Sequence, residues 1–196
     1  MGYLYRLATW VYQKILNRQS FWRRLRFEYT YKINKGFGDA DHHKRIAEDI
    51  VKNIPQGKYN SALDLGCGLG IITAKLAERI PSATGVDISK VALSAAKKSG
   101  SGAKFVQHDV VDYCKGKYDI ILCVGILPYI PEHYAGKVAI NINKMLAKGG
   151  ALVIFEKEAY TGTRIEKYLP YWKLPASKKH IKVAGENFLM WIVRKP

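Results

Sequence analysis

The sequence contains little cysteine and little proline, with 3 Cys and 7 Pro among 196 residues. The cysteines form an odd set without C-x-x-C spacing, so no disulfide framework and no zinc knuckle can be assigned. The chain is 48% apolar and has 17 Gly beside this small number of prolines. This composition excludes a collagen-like or disordered chain and predicts a packed globular domain. A reducing, cytoplasmic compartment is the simplest location for such a protein.

Long apolar runs and metal-ligand patterns are also missing. Residues 4–16 are interrupted by Arg6, Gln13 and Lys14, which makes the segment too short and too polar for a signal peptide or a membrane span. His42 and His43 are adjacent rather than one helical turn apart, and no carboxylate–histidine cluster accompanies them. The sequence therefore predicts a cytoplasmic protein without a bound metal.

Acidic residues are scarce, because 16 Asp and Glu stand against 32 Lys and Arg and leave a formal net charge of +16. Such an excess of positive charge favours binding to nucleic acid, to acidic lipid or to a negatively charged substrate, but it does not distinguish among these three. The basic residues are interleaved with aromatic ones in the first 38 residues, where apolar spacing predicts two short helices. We interpret residues 1–38 as a helical lead-in or lid, which packs on the main domain or contacts an anionic membrane through residues 1–30.

Strands alternate with helices from residue 39 to about residue 156, which predicts a parallel sheet covered on both faces. The expected strands are 61–65, 84–87, 104–107, 118–124 and 151–156, and the expected helices are 40–53, 71–79, 90–98 and 133–146. The last forty residues break this alternation. A helix over 161–168 and a hairpin joining 179–183 to 188–193 through Gly185 are expected there.

A glycine-rich loop, Asp64-Leu65-Gly66-Cys67-Gly68-Leu69-Gly70, lies between the first strand and a helix. Glycines at this place allow a tight turn and a close approach of the backbone to a ligand. In a dinucleotide fingerprint the third glycine would stand at position 71, where this chain has Ile71. The loop therefore predicts a ligand site and disfavours an oxidoreductase.

Acidic residues lie at the ends of three successive strands, namely Asp64, Asp87 and Asp109. A carboxylate at the position of Asp87 can accept hydrogen bonds from both ribose hydroxyls of a bound nucleoside. That of Asp109 can accept from an adenine amino group, while the Ile88 side chain and the Val110 backbone flank the ring. Each acid alone is more often a cap or a turn residue, but three in this order indicate a nucleoside site.

Together, four segments resemble the motifs of a class I S-adenosylmethionine-dependent methyltransferase: 63–70 with the glycine loop, Gly85-Val86-Asp87-Ile88-Ser89, Gln107-His108-Asp109-Val110, and 146–150 ending in Gly149-Gly150. The resemblance implies an α/β three-layer sandwich with a seven-stranded, mostly parallel sheet in the order 3-2-1-4-5-7-6, its last strand antiparallel. It implies S-adenosylmethionine as cofactor and direct in-line methyl transfer. The implied cofactor-binding residues are Asp64, Gly66, Cys67, Gly68, Gly70, Asp87, Ile88, Asp109, Val110 and Cys123.

The segment 118–129 resembles the family's fourth motif, whose end usually faces the transferred methyl group. Pro128 and Tyr129 are retained, but Ile126 and Leu127 replace the polar residue and the proline that precede them in methyltransferases acting on nucleobase amino groups. The pattern therefore favours a small-molecule or lipid-associated, anionic acceptor, loosely as in nodulation-factor N-methyltransferases, with Tyr129 and His133 as candidate catalytic residues. An RNA or DNA methyltransferase and a non-catalytic binding module of the same fold are the alternatives.

Overall fold

A computed structural model describes residues 20–33, 40–158, 168–172 and 174–196. The strands are β1 Ser61–Leu65, β2 Ser82–Asp87, β3 Lys104–Gln107, β4 Tyr118–Val124, β5 Leu146–Lys157, β6 Ala176–Val183 and β7 Glu186–Arg194. The helices are α1 Ser20–Ile33, α2 Ala40–Asn53, α3 Ile71–Ala77, α4 Lys90–Lys97, α5 Ala135–Met145 and α6 Leu169–Trp172. Short 3₁₀ turns are formed by Leu127–Tyr129 and Glu132–Tyr134.

The seven strands form one sheet in the order β3-β2-β1-β4-β5-β7-β6. The pairs β1–β2, β1–β4, β2–β3 and β4–β5 are parallel, whereas β7 is antiparallel to both β5 and β6. This arrangement confirms the fold class and strand order that the motifs imply. Because β1 lies between β2 and β4, the chain direction across the sheet switches at β1, and parallel sheets of this kind bind ligands in the crevice there.

Each central strand is buried on both faces, as expected for a sheet with helices on either side. Leu63, Ile121 and Leu152 face one apolar cluster, which includes residues of α5. Ile120 and Val153 face the other, which includes residues of α2 and α3. The period-2 alternation of side chains therefore divides an almost continuous apolar sequence between two cores.

Several element ends differ from the sequence expectation. The helix expected over 133–146 begins at Ala135, because Pro131 is extended and residues 132–134 form a 3₁₀ turn. Strand β5 begins at Leu146 rather than Ala151, since Leu146 already pairs with Tyr118 of β4. The first lead-in helix and the helix expected over 161–168 fall on residues outside the described ranges, apart from Tyr168. No helix within those ranges is long and apolar enough to cross a bilayer.

Candidate active site

A cavity of about 640 Å³ opens at the carboxyl ends of β1, β2 and β4, beneath α1. Its volume lies in the range of small-molecule and cofactor sites, roughly 300–1,000 Å³. The end of β2 contributes Asp87 and Ile88, and the loop after β3 contributes Asp109 and Val110. The rest of the wall is formed by α1, by α2, by the loops after β1 and β4 and by the facing ends of β5 and β7, including Gly66, Tyr129, His42, His43, Lys157 and Glu186.

Asp87 is held in a defined orientation at the end of β2. The Gly68 N–H donates to its Oδ2 at 2.9 Å, and the Ser89 N–H donates to its Oδ1 at 2.8 Å. Burial raises the pKa of Asp87, and these backbone N–H groups counteract the increase. The backbone of Ile88 also bonds to this carboxylate, so about one of its four lone-pair positions remains for a donor from a ligand such as a ribose hydroxyl.

Asp109 lies in the cavity wall but already has a charged partner. Arg23 of α1 donates from Nε at 3.1 Å and from Nη2 at 2.5 Å, both to Asp109 Oδ2. The Val111 N–H donates to Oδ1 at 3.0 Å. Both side chains are buried, with only 4% of Arg23 and 8% of Asp109 exposed. The Oδ1 atom therefore keeps one acceptor position, and its contact with an adenine amino group stays a prediction.

The glycine loop is shaped by contacts below and above it. Asp64 lies beneath the loop, where its Oδ2 accepts from Thr73 Oγ1 at 2.7 Å and burial raises its pKa to about 6. Above the loop, a Cβ atom at Gly68 would lie 2.5 Å from the hydroxyl oxygen of Tyr31, and Gly68 has a φ of +53°. Burial, with Asp87 nearby, raises the pKa of Tyr31. Tyr31 thus occupies space directly over the loop.

The two cysteines that the motifs include serve as packing groups. Burial raises the thiol pKa of Cys67 and of Cys123, so both stay protonated at neutral pH and are poor nucleophiles. The Cys67 sulfur lies over Gly85, where an added Cβ atom would come within 2.8 Å of it. Neither cysteine belongs to the cavity wall, and the same is true of Asp64, Gly68 and Gly70. Their contact with a cofactor stays a prediction.

A second carboxylate attaches α1 to the N-terminus of α4. Glu28 accepts from the backbone N–H groups of Lys90 at 2.7 Å and Val91 at 3.0 Å, and from Ser89 Oγ at 3.1 Å. These N–H groups are unsatisfied donors at the N-terminus of α4, where a negative charge is also favoured by the helix dipole. Glu28 and Arg23 therefore fix α1 at two points above the cavity.

The half of the cavity away from Asp87 is built around Tyr129. The Phe27 ring meets the Tyr129 ring edge to face at 5.7 Å between centroids, and the Arg26 guanidinium lies 5.3 Å from the Tyr129 centroid. Lys157 Nζ lies 2.6 Å from Glu186 Oε2, and His42 Nε2 lies 3.8 Å from Glu186 Oε1. Aromatic and cationic groups thus surround a single acidic side chain in this half.

Glu156 and Tyr168 hold the turn that presents Tyr129. The Leu127 backbone N–H bonds to the Glu156 carboxyl group, and the Tyr168 hydroxyl donates to the Leu127 carbonyl oxygen at 3.4 Å. Only 2% of Glu156 is exposed, and burial raises its pKa to about 8. The carboxyl group is therefore largely protonated at neutral pH, as a buried group near few charges is expected to be.

His133, the other candidate catalytic residue, lies elsewhere. It is exposed in the 3₁₀ turn before α5, its ring is 4.1 Å from that of Tyr134, and it is not part of the cavity wall. The structure therefore places Tyr129 in the site and gives His133 no contact with it.

The sequence analysis missed Arg23, Glu28, Tyr31 and Glu156. The first three belong to the lead-in, whose charges and aromatic residues predict a helix without showing which face meets the main domain. Glu156 reads as the polar end of an apolar strand, which is a common pattern. A single acidic residue at position 28 among neighbouring basic residues was the one available signal.

Comparison with known proteins agrees with this geometry. Residues 62–150 match the family model of a methyltransferase domain, and this range contains the glycine loop, Asp87 and Asp109. This match, the sequence relatives and the fold together support a class I S-adenosylmethionine-dependent methyltransferase. The sheet order observed here is the one implied by the motifs of that class.

Several methyltransferases are similar to this chain in sequence, each over part of its length. A trans-aconitate 2-methyltransferase of Deinococcus radiodurans is 31% identical over 117 residues, which are 58% of this chain and 44% of that protein. Nodulation protein S of Rhizobium tropici is 28% identical over 121 residues, or 59% and 51% of the two chains. This chain thus spans about half the length of the curated relatives it matches.

Among solved structures, the N-methyltransferase NodS of Bradyrhizobium japonicum with S-adenosyl-L-homocysteine has a TM-score of 0.60 at 21% identity, over 80% of this chain and 86% of that one. The magnesium protoporphyrin IX methyltransferase of Synechocystis has a TM-score of 0.68 at 16% identity, over 90% and 99%. These similarities show the fold.

The residues of this site fit S-adenosylmethionine, the cofactor expected from the motifs. Asp87 lines the cavity and keeps about one acceptor position, and Ile88 and Val110 provide apolar surfaces there. Asp109 keeps one acceptor position on Oδ1. These groups suit a ribose and a purine, whereas the Gly68 backbone lies under the Tyr31 hydroxyl group and outside the cavity wall.

Proposed function

We propose that this chain transfers a methyl group from S-adenosylmethionine to a small anionic acceptor, bound in the half of the cavity next to Tyr129. One observation carries the proposal: a single cavity connects the Asp87 and Val110 side with the Tyr129 and Lys157 side. A donor and an acceptor held at opposite ends of one cavity of this size would be close enough to react.

Bound S-adenosylmethionine supplies a methyl group that is already activated for transfer. The residues of the chain therefore have to position the acceptor and keep water away, which is catalysis by proximity and orientation. The aromatic rings of Phe27 and Tyr129 supply rigid apolar walls for this purpose. An acceptor atom that is already anionic has its lone pair available and needs no general base.

The charges next to Tyr129 support an anionic acceptor. Arg26 lies over the Tyr129 ring, and Lys157 faces Glu186. An anionic group entering this half would compete with Glu186 for the Lys157 ammonium group, which is 38% exposed and therefore accessible. The acceptor named for several relatives, trans-aconitate, is itself a small organic anion.

The test is transfer of a labelled methyl group to fractions of a cell extract, followed by kinetics on the acceptor found. We expect Lys157→Met to raise the acceptor KM about tenfold, as loss of one charge-assisted hydrogen bond implies, with unchanged S-adenosylmethionine binding. Lys148→Met, which changes an exposed lysine of β5 outside the cavity wall, is the control. Cofactor binding without transfer to any fraction would instead support the non-catalytic alternative.

A further inference from the structure

Helix α1 is apolar on two opposite faces. Its inner face places Arg23, Phe27 and Tyr31 in the wall of the cavity. Its outer face carries five large apolar side chains, each between 43% and 67% exposed: Phe21, Trp22, Leu25, Tyr29 and Ile33. At 3.6 residues per turn these five fall within an arc of about 120°. An apolar stripe of this width on a helix normally packs against a partner, and among the described residues nothing covers this one.

The outer face is unusual for this molecule. Among the residues that the structure describes, eight large apolar side chains are exposed, and five of them lie on this one face. Single exposed apolar residues are normal on a protein surface, but a contiguous patch marks an interaction site. A patch built from Trp, Tyr and Phe has the residue types that concentrate at the interface of a bilayer with water, where one end of the side chain is apolar and the other is wet.

Basic residues border the patch on the side of α4. A cleft of about 590 Å³ between α1 and α4 is lined by Phe21 and Leu25 together with Arg24, Lys32 and Lys90. The acidic residue in this cleft, Glu28, already accepts three hydrogen bonds from the start of α4, which offset its charge. The cleft therefore offers cations next to apolar side chains, the combination that anionic lipid headgroups and their acyl chains require.

We propose that the outer face of α1 docks on the surface of an anionic lipid bilayer. The apolar side chains enter the interface, and Arg24, Lys32 and Lys90 meet the lipid phosphates. Because Arg23 and Glu28 attach the inner face of the same helix to the domain, docking holds the cavity at the membrane surface. If the methyl transfer proposed above takes place, an acceptor carried by the membrane can then enter; this last step alone rests on the proposed function.

The experiment measures sedimentation of the full chain with phosphatidylcholine vesicles, with and without phosphatidylserine, in the absence of cofactor. We expect binding only when phosphatidylserine is present. Leu25→Glu and Trp22→Glu should each weaken binding about tenfold or more, through lost apolar burial and added negative charge. Lys32→Ala should weaken it about fivefold, the effect of one basic residue near an anionic surface.

The matched control is Ile140→Glu, which introduces the same charge at an apolar residue of α5 that is 49% exposed. We expect it to bind vesicles as the unchanged chain does. Thermal unfolding and calorimetric titration with S-adenosylmethionine verify that the α1 variants keep their fold and inner face. Leu25→Ser is a milder variant that reports on the same face should the glutamate destabilise the helix.

Four results would overturn the proposal. The first is equal binding to vesicles with and without phosphatidylserine, and the second is unchanged vesicle binding by the α1 variants. The third is a dimer of the unchanged chain that the α1 variants convert to a monomer. The fourth is a loss of oligonucleotide binding, but not of vesicle binding, in the α1 variants. If the α1 variants unfold at a lower temperature but bind vesicles as before, the outer face packs against another part of the same chain. Vesicle binding without methyl transfer to any acceptor would leave the docking surface standing and refute the proposed function alone.

Discussion

Arg23 Nη2 lies 2.5 Å from Asp109 Oδ2 and joins α1 to the loop after β3, 86 positions later in the chain. Asp109 is the carboxylate that the motifs assign to the adenine, so the helix above the cavity and the purine end predicted by the motifs share one side chain. The position of α1 and the acceptor capacity of the site are therefore coupled. We therefore expect a substitution at Arg23 or at Asp109 to change both the position of α1 and the acceptor capacity of the site.

Removing Arg23 should destabilise the protein strongly. Arg23→Ala leaves the Asp109 charge buried without its cation, and we expect a loss of about 3 kcal/mol or more in the free energy of unfolding. Urea denaturation at neutral pH measures this loss. Arg24→Ala is the control, because Arg24 is half exposed and lies 3.8 Å from Glu28, so its loss should cost less than about 1 kcal/mol. Equal effects of the two variants would mean that the buried pair contributes nothing specific.

Glu28 should slow hydrogen exchange at the first backbone amides of α4. In Glu28→Ala the N–H groups of Lys90 and Val91 lose their acceptor, and we expect about 1–2 kcal/mol lower stability, the usual cost of a lost helix cap. Hydrogen exchange followed by NMR measures the effect at these two amides directly. Glu28→Gln keeps one acceptor oxygen and should retain part of the protection. Unchanged exchange at both amides in Glu28→Ala would contradict the contact.

Gly68 should tolerate no side chain while Tyr31 lies above it. Gly68→Ala combines a left-handed backbone with a Cβ atom 2.5 Å from the Tyr31 hydroxyl oxygen, whereas Gly100→Ala has a φ of +65° and open space. We expect Gly68→Ala to cost about 1–3 kcal/mol more than Gly100→Ala in the free energy of unfolding. Adding Tyr31→Phe removes the clashing oxygen and should recover part of that difference. A double variant no more stable than Gly68→Ala alone would place Tyr31 away from the loop.

Asp87 should contribute most of the binding to the ribose. Asp87→Ala removes both acceptor oxygens, so we expect S-adenosylmethionine binding to weaken by about 1–3 kcal/mol. Isothermal titration calorimetry measures the change. Glu78→Ala, which removes an exposed carboxylate at the end of α3, is the control and should bind as the unchanged chain does. Wild-type affinity in Asp87→Ala would remove Asp87 from the ribose site.

Glu156 should make stability depend on pH. Burial raises its pKa from 4.5 to about 8, so between these values the folded protein keeps a proton that the unfolded chain releases. The stability that the neutral carboxyl group provides is complete below pH 4.5 and falls as pH rises to 8, by at most about 1.4 kcal/mol per pH unit.

Glu156→Gln stays neutral and keeps an acceptor for the Leu127 N–H, so the difference in stability between the two proteins isolates this titration. We expect the free energy of unfolding of the variant to rise relative to that of the wild type as pH rises from 5 to 8. Urea denaturation at each pH measures this difference. The pKa of Asp64, about 6, affects both proteins alike. Parallel pH profiles would show that Glu156 is ionised throughout this range.

The sequence by itself determined the sheet and the residues at its carboxyl edge. Apolar runs of strand length, separated by helical spacing, identify the central strands, and the bounds of β1, β3 and β4 agree with the expected ones. Asp87, Ile88, Asp109 and Val110 follow strands directly, so strand order alone brings them to one cavity. These features are local in sequence, which is why pattern and motif suffice for them.

Only the tertiary structure decided how α1 is used. Its two faces have similar composition, so periodicity could not show that Arg23, Glu28 and Tyr31 point inward while Trp22 and Leu25 stay exposed. That choice depends on partners far away in the chain, namely Asp109 and the first amides of α4. The protonated state of Glu156 is decided in the same way, because the pKa of a carboxyl group is set by the burial that folding imposes on it.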